Sequence, residues 1–280
     1  MTKWFNIPME LRYRTIDGLA IRVAETPPRG EQALLLSPWP ESVLAFQPVW
    51  ACLCEDVQLT AIDLPGFGRS ERRPSLLSPA AMAEFIIRVI DMLGLDRPHA
   101  VGPGSGTAAL LFAAARHPGR LRSLVISGAS PRRPEPDELF AGSQPPDDGR
   151  IGDSRHLLDR MLSLIERYEL PTEIRDDYRC SYEGVRFVES LKYMQSYPAE
   201  LTVLRDLLAD VSTPVRIIAA RRDPFAPSED AELLAASLPN GDLTFLDTGH
   251  FAWEDAADEY AELVNTFWRR LRHPISGGER

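Results

Sequence analysis

Short, mostly apolar runs recur along the chain, and amphipathic stretches separate them. Ala33–Leu36 and Val215–Ala219 are apolar or nearly so, which is typical of strands that are covered on both faces. Further runs of this kind are Val57–Ile62, Ala100-Val101 with its neighbours, Leu121–Ile126 and Leu243–Leu246. Near the start of the chain, the pair Asp17-Gly18 predicts a hairpin turn between two strands, Leu11–Thr15 and Leu19–Val23. Ser78–Leu93 and Asp255–Leu271 carry apolar residues at helical spacing. This alternation predicts an α/β fold with a doubly wound, mostly parallel sheet.

The alternation is interrupted in the middle of the chain. Pro131–Gly152 is rich in Pro, Asp and Gly, which is typical of an irregular surface segment. The segments His156–Tyr168 and Val185–Tyr197 that follow are predicted helices with no strand between them. We therefore expect residues 1–130 and 211–273 to form the α/β core, residues 131–210 to form a helical cap over the carboxyl edge of the sheet, and residues 274–280 to form a frayed tail.

Composition narrows the choice of partners. The 280 residues carry a formal net charge of −10 and no basic stripe, which argues against nucleic acid or an anionic membrane as a partner. No apolar run approaches the ~20 residues of a membrane span, and no secretory signal is visible at the start. The odd set Cys52, Cys54 and Cys180 has neither a disulfide framework nor metal-ligand spacing. A cytoplasmic protein without a metal is expected.

Four segments, taken in order, resemble the α/β-hydrolase superfamily. Leu34–Ser42 lies where the family usually has a strand followed by His-Gly-x-Pro, and Asp63-Leu64-Pro65-Gly66-Phe67-Gly68-Arg69-Ser70 matches the family's Asp-x-x-Gly-x-Gly-x-Ser turn. Val101–Thr107 stands where the nucleophile elbow belongs. The fourth is a pair, Ala220-Arg221-Arg222-Asp223-Pro224 and Asp247-Thr248-Gly249-His250-Phe251, which resembles the loops that bear the acid and the histidine. The resemblance implies the α/β-hydrolase fold with a helical cap insertion.

The elbow departs from the family pattern at its central position. The family's Gly-x-Nuc-x-Gly turn places Gly102 and Gly106 at the two flanks and Gly104 at the nucleophile position. Making Ser105 the nucleophile would put Pro103 and Thr107 at the glycine positions, which a tight turn resists. Related elbows that read Gly-Pro-Asp-x-Gly-Thr carry Asp where this chain has Gly104, and relatives with Asp or Ser there form covalent intermediates that glycine cannot form.

The resemblance makes His250 and Asp223 a catalytic pair. His250 follows a predicted strand and a Thr248-Gly249 turn, as the family's general base does, and Asp223 follows the strand Val215–Ala219 at the place of the triad acid. Such a carboxylate fixes the tautomer of the imidazole and stabilises its protonated form. A helix-capping role for Asp223 is the alternative. The other histidines, at positions 99, 117, 156 and 273, are expected to be structural.

The resemblance also indicates an oxyanion site and a pocket wall. The family uses two backbone N–H groups, which here would be those of Ser105 and Trp39, because Pro38 has no N–H to donate. Trp39, Phe251 and Trp253 would present aromatic surface to a substrate pocket, although an aromatic residue in such a loop also often belongs to the core.

Three functions remain open at the level of sequence. The first is an enzyme in which the His250–Asp223 dyad acts as general base on a small, largely apolar metabolite, in elimination, cyclisation, rearrangement or water-mediated hydrolysis. The second is a conventional ester, epoxide or halide hydrolase, with Ser105 recruited or the nucleophile replaced. The third is a non-catalytic binding protein. No cofactor is expected, because Gly102-Pro103-Gly104-Ser105-Gly106 is not a Gly-x-Gly-x-x-Gly fingerprint and no P-loop is present.

Overall fold

The computed structural model describes residues 8–128 and 154–272. Eight strands form one sheet: β1 (Leu11–Ile16), β2 (Leu19–Glu25), β3 (Glu31–Leu36), β4 (Val57–Ile62), β5 (His99–Pro103), β6 (Ser123–Ser127), β7 (Val215–Ala220) and β8 (Gly241–Leu246). The helices in these ranges are α1 (Gln47–Leu53), α2 (Pro79–Met92), α3 (Ser105–Arg116), α4 (Ser154–Leu162), α5 (Thr172–Ser181), α6 (Arg186–Leu207), α7 (Ser228–Ser237), α8 (Ala252–Asp255) and α9 (Ala257–Arg272). Every strand that the sequence pattern predicted is present within a few residues of its expected bounds.

The sheet has the order β1-β2-β4-β3-β5-β6-β7-β8. β1 and β2 are antiparallel to their neighbours, and all pairs from β4 to β8 are parallel. The predicted doubly wound, mostly parallel α/β fold is thereby confirmed. After β3 the chain adds β4 on one side and β5 on the other, so that a crevice opens at the carboxyl ends of β3 and β5.

Two apolar layers enclose the sheet, because successive side chains of a strand point to opposite faces. In β3, Leu34 and Leu36 belong to the layer under α2 and α3, whereas Ala33 and Leu35 belong to the layer under α1 and α9. All four side chains are fully buried. Burying a leucine of this kind contributes about 1.5–3 kcal/mol, so the middle strands anchor the elbow that follows β5.

The segment between β6 and β7 contains α4, α5 and α6 in its described part. The helix predicted over His156–Tyr168 ends at Leu162, and the second predicted helix continues past Pro198 to Leu207. Helix α5 was not predicted, because its sequence Thr-Glu-Ile-Arg-Asp-Asp-Tyr-Arg-Cys-Ser has few apolar positions. The predicted irregular segment Pro131–Gly152, the tail 274–280 and His273 lie outside the described residues.

A buried ion-pair network ties α5 to the sheet. Arg22 of β2 donates from Nε to Asp63 Oδ2 at 2.6 Å and from Nη1 and Nη2 to the two oxygens of Asp177 at 2.7 and 2.9 Å. Ser42 Oγ donates to Asp177 Oδ2 at 2.7 Å. A Cβ atom at Gly68 would lie 2.2 Å from Asp63 Oδ2, so the last glycine of the Asp-x-x-Gly-x-Gly-x-Ser turn makes room for this carboxylate.

Candidate active site

The elbow is a sharp turn from β5 into α3. Gly104 joins the two elements at φ 54° and ψ −117°, a backbone conformation that favours glycine. A Cβ atom at Gly102 would lie 2.6 Å from Leu110 Cδ1, and one at Gly106 would lie 3.4 Å from Leu36 Cβ. Among the described residues, a Cβ atom at Gly104 would come within 4 Å of Pro38 Cβ alone, at 3.7 Å. A Cβ atom would therefore clash at Gly102 and make ordinary van der Waals contact at Gly106, whereas the described residues leave room for one at Gly104.

The structure brings His250 and Asp223 together at the adjacent carboxyl ends of β8 and β7. His250 Nδ1 lies 2.8 Å from Asp223 Oδ2, and both side chains are buried. The other carboxylate oxygen, Oδ1, accepts from the backbone N–H groups of Phe225 at 2.8 Å and Ala226 at 3.1 Å. Because an ionised carboxylate only accepts, the hydrogen bond assigns the imidazole proton to Nδ1 and leaves Nε2 as a lone-pair base.

Aromatic rings and one glycine surround the imidazole. Phe225 meets it edge-on, with ring centroids 4.9 Å apart, and a Cβ atom at Gly128 would lie 2.7 Å from His250 Cε1. Phe251 and Trp253, whose ring centroids are 5.2 and 5.8 Å from that of His250, are fully buried and pack in the layer under α1 and α9. These two residues support the imidazole from the core, and their expected contact with a substrate stays a prediction.

Sequence reasoning missed Phe225 and Gly128. Phe225 follows Asp223 by two residues, so its place in the acid loop was a usable signal. Gly128 directly follows a strand of the parallel sheet, where a glycine often marks close approach of another group. Only the tertiary structure shows that this group is the imidazole of His250.

The expected oxyanion donors lie next to each other across the crevice. The backbone N–H of Trp39 donates to Ser105 Oγ at 3.1 Å, and Tyr193 OH of α6 donates to the Ser105 carbonyl at 2.7 Å. Trp39 Nε1 donates to Ser190 Oγ at 2.8 Å, which also links this loop to α6. The Trp39 amide is thus engaged by a hydroxyl that an oxyanion would have to replace. In the described part of the chain, Ser105 Oγ makes no hydrogen bond to His250, and its recruitment as a nucleophile stays a prediction.

Two buried glutamates close to the dyad also escaped sequence reasoning. Glu41 and Glu254 are 0% and 3% exposed. Trp253 Nε1 donates to Glu41 Oε1 at 3.4 Å, and Tyr178 OH donates to Glu254 Oε1 at 3.2 Å. Burial raises the pKa of Glu41 well above its usual range and that of Glu254 to about 7, and the like charge of Glu254 raises the pKa of Glu41 further.

The remaining histidines of the described ranges lie away from the site. His99 is buried, with Nδ1 2.7 Å from Ser123 Oγ and Nε2 3.3 Å from Glu31 Oε2, and burial lowers its pKa to about 4. His117 Nε2 lies 3.0 Å from Glu84 Oε2, and His156 is exposed on α4. Neither 8–128 nor 154–272 contains a cluster of three or more His, Cys, Asp or Glu side chains suited to a metal ion.

A bilayer-spanning helix needs about 20 consecutive, mostly apolar residues, and the helices of residues 8–128 and 154–272 fall short of this. None of them is long and apolar enough to cross a membrane.

Comparison with known proteins places this geometry in a family. Residues 34–257 match the family model of the alpha/beta hydrolase fold. The chain is 37% identical over 270 residues to a Caulobacter sp. (strain K31) protein named "Putative carbamate hydrolase RutD", covering 88% of this chain and 93% of that one. It is 31% identical over 223 residues to the 2-hydroxymuconate semialdehyde hydrolase of Pseudomonas putida, covering 75% and 76%.

A solved structure supports the fold alone. The enol-lactonase from Burkholderia xenovorans LB400 superimposes with a TM-score of 0.79 at 17% identity, covering 92% of this chain and 100% of that one. The family match extends from β3 through the elbow and the acid loop to the helix that follows His250. The chain therefore belongs to the α/β-hydrolase family and is an enzyme of hydrolase-like class.

Proposed function

We propose that this enzyme works without a covalent nucleophile and uses His250, held by Asp223, as a general base. The observation that carries the proposal is the 2.8 Å contact between His250 Nδ1 and Asp223 Oδ2 beside an elbow whose central residue is Gly104. The contact keeps Nε2 free to take a proton, and glycine has no group with which to form an acyl or alkyl intermediate.

The chemistry of such a site is proton abstraction from a bound substrate or from water. Nε2 accepts the proton, and Asp223 stabilises the imidazolium that forms. The amides of Trp39 and Ser105 would stabilise developing negative charge on the substrate once it displaces the Ser105 hydroxyl. Elimination, cyclisation, rearrangement and water-mediated hydrolysis all fit these roles. General-base catalysis of this kind contributes about 10²–10⁴-fold to the rate.

The substrate is a small, largely apolar molecule in this proposal. The base is flanked by the ring of Phe225, and the ring of Trp39, whose amide reaches the elbow, packs against Phe187 of α6. Residues 131–210 are proposed to form the cap that encloses the substrate, which is supported by the bonds from Tyr193 and Ser190 of α6 to the residues around the elbow. The free thiols Cys52, Cys54 and Cys180 support a reducing, cytoplasmic setting.

The test is removal of the base. Turnover would be sought first with 2-hydroxymuconate semialdehyde and with carbamates, the compounds that the names of two relatives give, and then with simple esters. His250→Ala is expected to reduce kcat by at least 10²-fold, and His117→Ala, a histidine on the outer surface, serves as the control. Undiminished turnover in His250→Ala would refute the proposal.

The space above Gly104 favours one second candidate, a conventional hydrolase whose nucleophile has been replaced. Gly104→Ser and Gly104→Asp would introduce a hydroxyl or a carboxylate at a position whose Cβ, among the described residues, comes within 4 Å of Pro38 Cβ alone. A gain of ester hydrolysis with Ser, or of epoxide or halide hydrolysis with Asp, would support this candidate. Gly104→Ala is the matched control for backbone strain, and no gain with either nucleophile would argue against the candidate.

A further inference from the structure

Glu41 and Glu254 connect the two loops that carry the reacting groups. Glu41 is two residues after Trp39 in the loop that follows β3, and Glu254 is four residues after His250 in α8. The indole of Trp253, the residue directly before Glu254, reaches Glu41 Oε1 at 3.4 Å, so the two buried carboxyl groups are neighbours, and each affects the other's pKa. They are buried between the histidine loop and α5, away from solvent.

If both carboxyl groups are ionised, the pair has more buried acceptor oxygens than the described residues have donors for. Trp253 Nε1 donates to Glu41 Oε1, and Tyr178 OH donates to Glu254 Oε1. Each carboxyl group has a second buried oxygen, Oε2, for which the described residues provide no donor. An unsatisfied buried charge is costly. One proton held between the two groups supplies the missing donor and removes one of the two like charges.

The surroundings of the pair also favour a retained proton. Among the described residues, the other charged or titratable groups that bear on it are Asp255 of α8, Tyr178 of α5, Tyr168 in the segment before α5 and Tyr182 directly after α5, whose hydroxyl donates to the Glu41 carbonyl. Asp255 is itself an acceptor, with its carboxylate bound by the backbone N–H groups of residues 166, 167 and 168. Negative and neutral groups around a carboxyl pair make double ionisation unfavourable, as in other buried acid dyads.

We propose that Glu41 and Glu254 are positioning residues that share one proton, and that this bond holds the Trp39 amide and the His250 imidazole in register across the crevice. The inference rests on the proposed role of His250 as the base. Tyr178 adds α5 to the same bond network, so the segment between β6 and β7 is held to the two loops at this point. Neither glutamate is placed in contact with substrate.

The shared proton is tested with two variants at position 41. Glu41→Gln keeps an N–H donor for Glu254 but has no titrating group at position 41, whereas Glu41→Ala removes the hydrogen bond to Glu254. Glu232→Gln, on the exposed side of α7, is the matched control. Infrared difference spectra near neutral pH measure the protonated carboxyl group, ¹⁵N NMR of the His250 ring measures its position, and p-nitrophenyl acetate is the activity probe.

The wild type and Glu232→Gln should show a protonated carboxyl band that Glu41→Gln lacks. Glu41→Gln should keep the His250 ring signals and most of the activity, and should lose the alkaline decline of kcat that accompanies loss of the shared proton. Glu41→Ala should shift the ring signals and lower kcat by about 10²-fold, since a displacement of about 1 Å has that effect on a reacting pair.

Two results would overturn the inference. One is a wild type that shows no protonated carboxyl band near neutral pH. The other is unchanged His250 ring signals in a folded Glu41→Ala variant. Both readouts are independent of turnover, so a wild type that shows the band while His250→Ala retains full activity would refute the proposed function and leave the shared proton established.

Discussion

Replacing Asp223 with Asn changes one carboxylate oxygen to an NH₂ group, and the backbone decides which way the amide turns. Oδ1 accepts from the N–H groups of Phe225 and Ala226, at 2.8 and 3.1 Å. An NH₂ group in that place would leave two buried donors without an acceptor, which costs about 1–3 kcal/mol for each donor. The amide oxygen therefore stays there, and the NH₂ group faces His250 Nδ1.

This orientation reverses the tautomer of the imidazole. His250 Nδ1 must now accept, so the ring proton moves to Nε2 and the lone pair of the base is lost. In the serine-protease triad the same substitution lowers kcat by about 10⁴-fold. For Asp223→Asn we expect a loss of the same order, which corresponds to about 5.4 kcal/mol in activation free energy at 1.36 kcal/mol for each factor of ten.

The tautomer can be measured without a substrate. The ¹⁵N chemical shifts of the His250 ring are expected to show a proton on Nδ1 in the wild type and on Nε2 in Asp223→Asn. Asp206→Asn, at an exposed position of α6, is the control for the change in charge. Retention of the Nδ1 proton in Asp223→Asn, together with turnover within tenfold of the wild type, would refute the reasoning.

Three further predictions concern stability. Gly102→Ala should destabilise the fold in urea unfolding, because the added Cβ would lie 2.6 Å from Leu110 Cδ1 and 3.0 Å from the backbone of Gly106; an unchanged free energy of unfolding would contradict this. Asp177→Ala leaves Arg22 buried with part of its hydrogen bonding lost and should lower the free energy of unfolding by about 3–5 kcal/mol. A decrease below 1 kcal/mol would show that the ion-pair network does not hold α5 to the sheet. Burial lowers the pKa of His99 to about 4 from 6.5, so the unfolded state binds more protons between these values. The free energy of unfolding should fall as the pH drops from 6.5 to 4, by up to about 1.4 kcal/mol per unit, and replacement of His99 by Gln should remove this part of the slope.

The fold was predictable because its signals are local. A strand such as Leu34–Leu36 is apolar on both faces, and an elbow with Gly102 and Gly106 needs small residues whatever surrounds it. Helix α5 was not predictable in this way. It buries Ile174 and Tyr178 but also Asp177, whose charge is compensated by Arg22, 155 residues away in sequence. A sequence segment of the length used to predict a helix does not include both residues of this ion pair.

The candidate site divides in the same manner. The sequence by itself determined that Asp223 and His250 follow strands of a parallel sheet and that Gly104 lies at the turn after β5, where we expect the nucleophile position, because spacing and motif are properties of the chain. The tertiary structure alone decided that Trp39 donates to Ser105, that Phe251 and Trp253 pack behind the imidazole, and that Glu41 lies against Glu254. Such contacts join residues up to about 210 positions apart in the sequence. Their energies depend on burial and on the direction of each hydrogen-bond donor, and the sequence pattern contains neither of these.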